Sequence, residues 1–241
     1  LAYDPRNLRY RKLIQDGKLE GDAKSLYIYQ RFIKDYIRCV DGLDEQIGRI
    51  LNFLDEDGLA ENTLVIYSSD QGFFTGEHGW AEKRWMYEES FKSPLMMRWP
   101  GTIKKGTQIT KLVQNIDLAP TFLKAAGLSI PNSVHGLPLQ NILLPTTSNS
   151  WRKDILYQYF DGGTPKKRGP YNMPRHEGIR DERYKLISFY DFKQWEFYDL
   201  QDDPRELNNL FGKKQFKPEI ERLQVRLALL KAEFFNSIYQ E

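Results

Sequence analysis

Directly behind the apolar run Thr63–Ser69, the chain sets Asp70, Gln71, His78 and Lys83 within fourteen positions. A carboxylate beside a carboxamide offers hard oxygen donors, which a divalent cation such as calcium prefers. Calcium takes about 6–8 oxygens, so Asp70 and Gln71 can form only part of a shell. Lys83, thirteen residues after Asp70, could return as a fixed positive charge beside an anion. His78 could shape the intervening loop or move a proton. By themselves the same residues read blandly too: "DQG" is a common turn, and a lone histidine or lysine is usually packed or solvated.

The flanking segments decide whether those residues can meet. Between about Asp22 and Leu54, Tyr29, Phe32, Ile33, Tyr36, Ile37, Val40, Leu43, Ile47, Ile50, Leu51 and Leu54 recur at helical spacing. That predicts one long amphipathic helix, or two joined near Gly42, stopping at Gly58. "TLVIYSS" is short, β-branched and without alternation, which predicts a strand covered on both faces, as in a parallel sheet. "SPLMMRWPG" predicts a second such strand, and "DLAPTFLKAAG" a helix with Asp117 as N-cap and Gly127 past its end. Asp70 and Gln71 then stand at the carboxyl end of a strand, where open α/β sheets gather their ligands.

After Pro145 the pattern changes. "DILYQYF", "RYKLISFY" and "WEFYDL" read as strands separated by turns, and Pro218–Ile238 as an amphipathic helix with Ile220, Leu223, Leu227, Leu230 and Phe234 on one face. The expected organisation is an α/β sandwich over residues 1–145 and a small antiparallel sheet with a helix over 146–241. The 241 residues carry 35 Lys and Arg against 33 Asp and Glu, a net +2 that gives no field for nucleic acid or anionic lipid. No apolar run approaches the roughly 20 residues of a membrane span. Cys39 stands alone, so no disulfide forms within the chain.

Taken in order, "SSDQGFFTGEHGWAEKRWMYEESFKSPLMMRWPG" closely resembles the active-site stretch of type I sulfatases, the calcium-dependent, formylglycine-using branch of the alkaline-phosphatase-like superfamily. "NIDLAPTFLKAAGLSIP", "HGLPL", "GIRDERYKLI" and "WEFYDLQDDPRELNNL" are similar to later blocks of bacterial glycan sulfatases of the N-acetylglucosamine-6-sulfatase and sulfoglucosamine sulfohydrolase types. The resemblance implies that Asp70 and Gln71 are calcium ligands and that Lys83 contacts the sulfate group. It puts His78 at a recurrent loop histidine. Arg84 and Trp85, next to Lys83, are candidates to touch the sugar. His176 and Arg180 begin the region that overhangs the cleft in such enzymes; the alternative is a loop histidine and a strand-end arginine satisfied by nearby acids.

The nucleophile is missing. In that family formylglycine arises from Cys, sometimes Ser, at the head of a Cys-x-Pro-Ser/Ala-x-Arg motif, and here Cys39 is followed by "VDGL". The family's paired aspartates, upstream lysine and two histidines have no match either. The expectation is therefore the C-terminal portion of a sulfatase acting on sulfated carbohydrate, binding calcium weakly and hydrolysing nothing by itself. A phosphodiesterase or phosphonate hydrolase of the same superfamily, or a non-catalytic glycan- or partner-binding remnant, stands as the alternative. Family resemblance places the protein in the periplasm or outside the cell.

Overall fold

The computed structural model describes residues 20–144, 151–162 and 173–238. One compact unit ends at Thr63 and a second begins at Leu64. The boundary expected near residue 145 lies in a segment outside the described residues.

Within the first unit, α1 (Gly21–Glu56) is a single 36-residue helix with no break at Gly42. At ~1.5 Å per residue it is a rod of roughly 54 Å. It ends as expected, with Gly58 in the left-handed region at φ +68°. None of its residues is buried, and Ile37 and Ile50 are more than half exposed.

The second unit begins with β1 (Val65–Ser68), β2 (Phe74–Thr75), β3 (Ala81–Glu82), the one-turn helix α2 (Glu88–Phe91) and β4 (Leu95–Arg98). The two strands foreseen from "TLVIYSS" and "SPLMMRWPG" are present, but they pair antiparallel and only with each other, Val65 opposite Arg98 and Ser68 opposite Leu95. Their side chains are half-buried or exposed, so the expectation of parallel strands covered on both faces is not met among the described residues. An apolar run reports that a strand needs cover; it does not report which segment supplies it.

α3 (Leu118–Ala125) ends before Gly127 at φ +72°, as expected. Asp117 does not cap it with its side chain. Instead its buried carboxylate accepts from the Gln114 and Leu137 amides and from Arg152, tying three loops together. α4 (Gln140–Leu143) follows.

β5 (Asp154–Tyr159), β6 (His176–Asp181), β7 (Tyr184–Phe189) and β8 (Gln194–Asp199) form an antiparallel meander in sequence order. β6 was not foreseen as a strand, because "HEGIRD" carries four polar side chains and shows no strand pattern. Pairing on both sides holds it in the sheet. The sheet is covered on both faces. On one, Ile179, Leu186 and Phe197 pack against Ile220, Leu223 and Leu227 of α5 (Lys217–Ile238). On the other, Ile187, Phe189 and Tyr198 pack against Met86, with Trp85 and Tyr87 at its sides. The segment just after Lys83 is thus the second lid of the sheet.

Candidate functional site

Asp70 and Gln71 leave the end of β1, as the strand reading requires. Gly72 comes next, for a reason other than a sharp turn: a Cβ there would lie 2.1 Å from the Glu89 carbonyl oxygen and 2.7 Å from that of Lys92. The Gly72 amide donates to the Ser90 carbonyl at 2.9 Å. Only a residue without a side chain lets the loop after Gln71 lie against α2.

Lys83 is brought back to Asp70 by a strained hairpin. β2 and β3 pair Phe74 with Glu82 and Thr75 with Ala81. His78 (φ +55°), Glu82 (φ +86°) and Arg84 (φ +87°) all adopt left-handed backbone, so both neighbours of Lys83 are strained. Such conformations cost of order 1–3 kcal/mol each and gather at functional sites. The outcome is Lys83 Nζ 3.7 Å from Asp70 Oδ2, with the lysine one-third and the carboxylate about three-quarters exposed (33% and 76%). An ion pair this open is worth about 0–1 kcal/mol, too little to explain the strain that builds it.

The other named residues divide. A cleft of about 1530 Å³ is lined by Asp70, Gln71, Trp85, Glu88 and Arg180, along with Met96 from β4. Pockets for small ligands are usually about 300–1,000 Å³, so one sugar would leave much of this space unfilled. His78 packs away from it, stacked on Tyr87 at 4.7 Å with Glu89 Oε2 3.6 Å from its Nε2. It shapes the loop and does not face the cleft. Arg84 turns to Glu82 (Nη1 to Oε2, 2.7 Å), its amide donates to Ser90 Oγ, and its carbonyl accepts from the Tyr157 hydroxyl.

His176 cannot contact substrate in this conformation, because it has no exposed surface. It lies on β6 rather than in a loop, among Trp85, Tyr157, Tyr159 and Phe189, with Nδ1 3.0 Å from the Pro174 carbonyl. Burial lowers its pKa, the protein-facing direction of an imidazole kept neutral. Arg180 does line the cleft, with its Nε 3.3 Å from Glu88 Oε1 and an Nη donating to the Asp181 carbonyl.

Asp70 and Gln71 together offer a carboxylate and a carboxamide on an exposed strand end, the oxygen chemistry that suits calcium. Gln71 Nε2 stands 3.5 Å from Asp70 Oδ2, and rotating the amide would present its oxygen instead. Among the described residues no group of three or more His, Cys, Asp or Glu side chains could hold a metal ion. The pair fits as part of a shell and not as a whole one.

Sequence reading missed Glu88, Lys185 and Glu206. Lys185 and Glu206 are buried, yet Lys185 Nζ lies 2.9 Å from Glu88 Oε1 and 2.8 Å from Glu206 Oε1. One signal was available. In "YKLISF" the lysine is in phase with Ile187 and Phe189, so it points into whatever covers them.

The chain matches two families, one described as "Sulfatase" over residues 5–128 and one as "N-sulphoglucosamine sulphohydrolase, C-terminal" over 76–233. It is 42% identical to the N-acetylglucosamine-6-O-sulfatase of Bacteroides thetaiotaomicron, across 93% of this chain and 39% of that protein. It is 29% identical to the N-acetylglucosamine-6-sulfatase of Bos taurus, across 91% of this chain and 44% of that protein. A solved structure of a protein in complex with its substrate D-glucosamine-2-N,6-O-disulfate superimposes with a TM-score of 0.86 at 40% identity, covering 100% of this chain and 48% of that one. The chain therefore spans less than half the length of these relatives.

Proposed function

The chain belongs to the sulfatase family, and from that premise we propose that its residues form one side of the active site of an enzyme that removes sulfate from a sulfated, glucosamine-type carbohydrate. The observation that carries the reading is the approach of Lys83 to Asp70 at the end of β1. Asp70 lines the cleft together with Gln71, Trp85 and Arg180, and Lys83, which is not itself part of the lining, reaches that edge through Asp70. Asp70 and Gln71 would hold calcium, which when bound polarises a sulfate ester as a Lewis acid. Lys83 sets its ammonium beside the anion and offsets charge that builds in the transition state. Trp85, though packed against Trp80 and His176, lines the cleft where a sugar would lie, and Arg180 brings a guanidinium oriented by Glu88. His78 keeps the hairpin in shape, through its stack on Tyr87.

None of these residues is a formylglycine, so turnover belongs to this chain acting with the part of the fold that carries the nucleophile and the other oxygen ligands. The names of the relatives support a glycan sulfatase, and with it a periplasmic or extracellular site of action. No helix among the described residues is long and apolar enough to cross a membrane.

The test is a fusion of this chain to the N-terminal part of the Bacteroides relative, assayed for sulfate release from glucosamine 6-sulfate with and without calcium. Calcium-dependent release by the fusion, with none from the chain alone, is the expected result. Faster release of phosphate from a matched phosphoester or phosphonate would replace this reading with the phosphonate-hydrolase one.

A further inference from the structure

The cross-strand register of the meander creates a conflict that the segment after Lys83 resolves. Arg180 of β6 and Lys185 of β7 are direct partners across the sheet. Like charges in that relation repel, and here Lys185 has no access to solvent. Glu88, the first residue of α2, answers both: its Oε1 lies 2.9 Å from Lys185 Nζ and 3.3 Å from Arg180 Nε. Glu206 supplies the second anion, with Oε1 2.8 Å from Lys185 Nζ and Oε2 accepting from the Glu88 amide at 2.6 Å. Lys185 also donates to the Met86 carbonyl at 2.6 Å. Two cations and two carboxylates thus close a neutral network around the backbone of residues 86–88.

The same stretch is fixed sterically. Met86 has no exposed surface and sits over Gly178, where a Cβ would come within 2.4 Å of its Sδ. Buried ion pairs are poor sources of net stability, because desolvation consumes most of what the attraction returns. Apolar side chains would close this face of the sheet as well. What paired charges can add is direction, because their hydrogen bonds are met in fewer arrangements than apolar contacts are.

We propose that Lys185 and Glu206 are positioning residues for Lys83, holding residues 86–88 so that the strained turn at 82–84 delivers its ammonium to Asp70. The proposal rests on reading Lys83 as the sulfate-contacting group. The clamp itself can be measured without substrate, so the two stand or fall separately.

The experiment uses this chain with lysines labelled at Cε and amide exchange read by NMR. In the native chain Asp70→Asn shifts the Lys83 Cε resonance, because the two groups are paired. In Lys185→Met/Glu206→Met, which removes both charges and leaves Glu88 to Arg180, that response falls at least twofold. Exchange at the Gly72 and Arg84 amides, whose partners are on Ser90 and not on the clamp, rises at least tenfold, while amides of β6 and β7 change less than twofold. Should the double variant fail to fold, Glu206→Gln keeps an acceptor for the Glu88 amide and removes only the charge, and it should raise the same two exchange rates about threefold. An undiminished Lys83 response with unchanged Gly72 and Arg84 exchange in whichever variant folds overturns the proposal. So does an exchange increase shared equally by the whole sheet, since that marks a group that only stabilises.

Discussion

The β5–β8 meander and the β1–β4 strand pair are both antiparallel, yet they are finished to different degrees. The meander is closed on each face, by α5 and by residues 85–87, and several of its polar groups find partners on the elements that cover it. Arg226 grips Asp154 through two bonds, Lys231 reaches Glu177, and the Tyr87 and Tyr198 hydroxyls both donate to Glu196. Burial pushes both phenols well above their ordinary pKa, helped next by the Glu196 carboxylate at Tyr87 and by Tyr87 and then Glu196 at Tyr198, so they remain donors. The strand pair instead exposes Met96 and leaves Asp70 and Gln71 at the edge of an open cleft. One region holds the shape, the other carries the proposed site, and the segment Lys83–Phe91 belongs to both.

That contrast can be broken most forcefully in the meander. Phe197 is fully buried between Tyr184 and Phe216, and Phe197→Ala should cost about 3–5 kcal/mol, read from urea unfolding of the chain. A loss under 1 kcal/mol would mean that the sheet–α5 core does not carry the stability. Next in size, Lys83→Met in the active fusion should lower sulfate release by roughly 10²–10³-fold, the usual effect of removing one charge-stabilising donor. Its unfolding free energy should move less than about 0.5 kcal/mol, as for other exposed side chains. A large stability change there would erase the division of labour.

Gly178→Ala tests the join between the regions. The added methyl meets Met86 Sδ and the Leu186 carbonyl, both at 2.4 Å, and should destabilise by about 1–3 kcal/mol. Because it lifts Met86, it should also lower activity of the fusion more than an equally destabilising change on the α5 face.

The smallest effect is a pH dependence. Burial lowers the folded-state pKa of His176 from 6.5. The unfolded chain therefore binds a proton that the folded chain refuses, and stability falls as pH drops from about 6.5 toward the folded value. His176→Phe should flatten that part of the stability–pH curve. An unchanged slope would show that the imidazole is not held neutral. Glu206 works with the opposite sign. Burial raises its pKa and Lys185 only partly offsets this, so its contribution declines as pH rises from its unfolded value toward its folded one. For Glu88 burial acts the same way, but Lys185 and Arg180 outweigh it and its pKa is lowered.

Much of this was legible in advance, and for identifiable reasons. The helical run before Gly58, its stop there, the final helix with Ile220, Leu223 and Leu227 inward, and the return of Lys83 to Asp70 all follow from periodicity or from ordered family blocks, while the structure decided that the first run is one helix and not two. β6 escaped because its pairing, rather than its composition, makes it a strand. His176, read as a sugar contact or else a loop histidine, is a buried residue at the start of β6.

By itself the sequence determined the long helices and the strongly apolar strands, which family blocks occur in which order, and that an acid, an amide and a lysine sit near one strand end. Those are properties of near neighbours, and spacing encodes them. Only the tertiary structure decided that β1 takes β4 as an antiparallel partner, that Gly72 makes room for α2, and that Lys185 is buried between Glu88 and Glu206. Each depends on segments far apart in the chain meeting in one place, and a charge carries no mark of its partner until burial takes away the water that would otherwise serve.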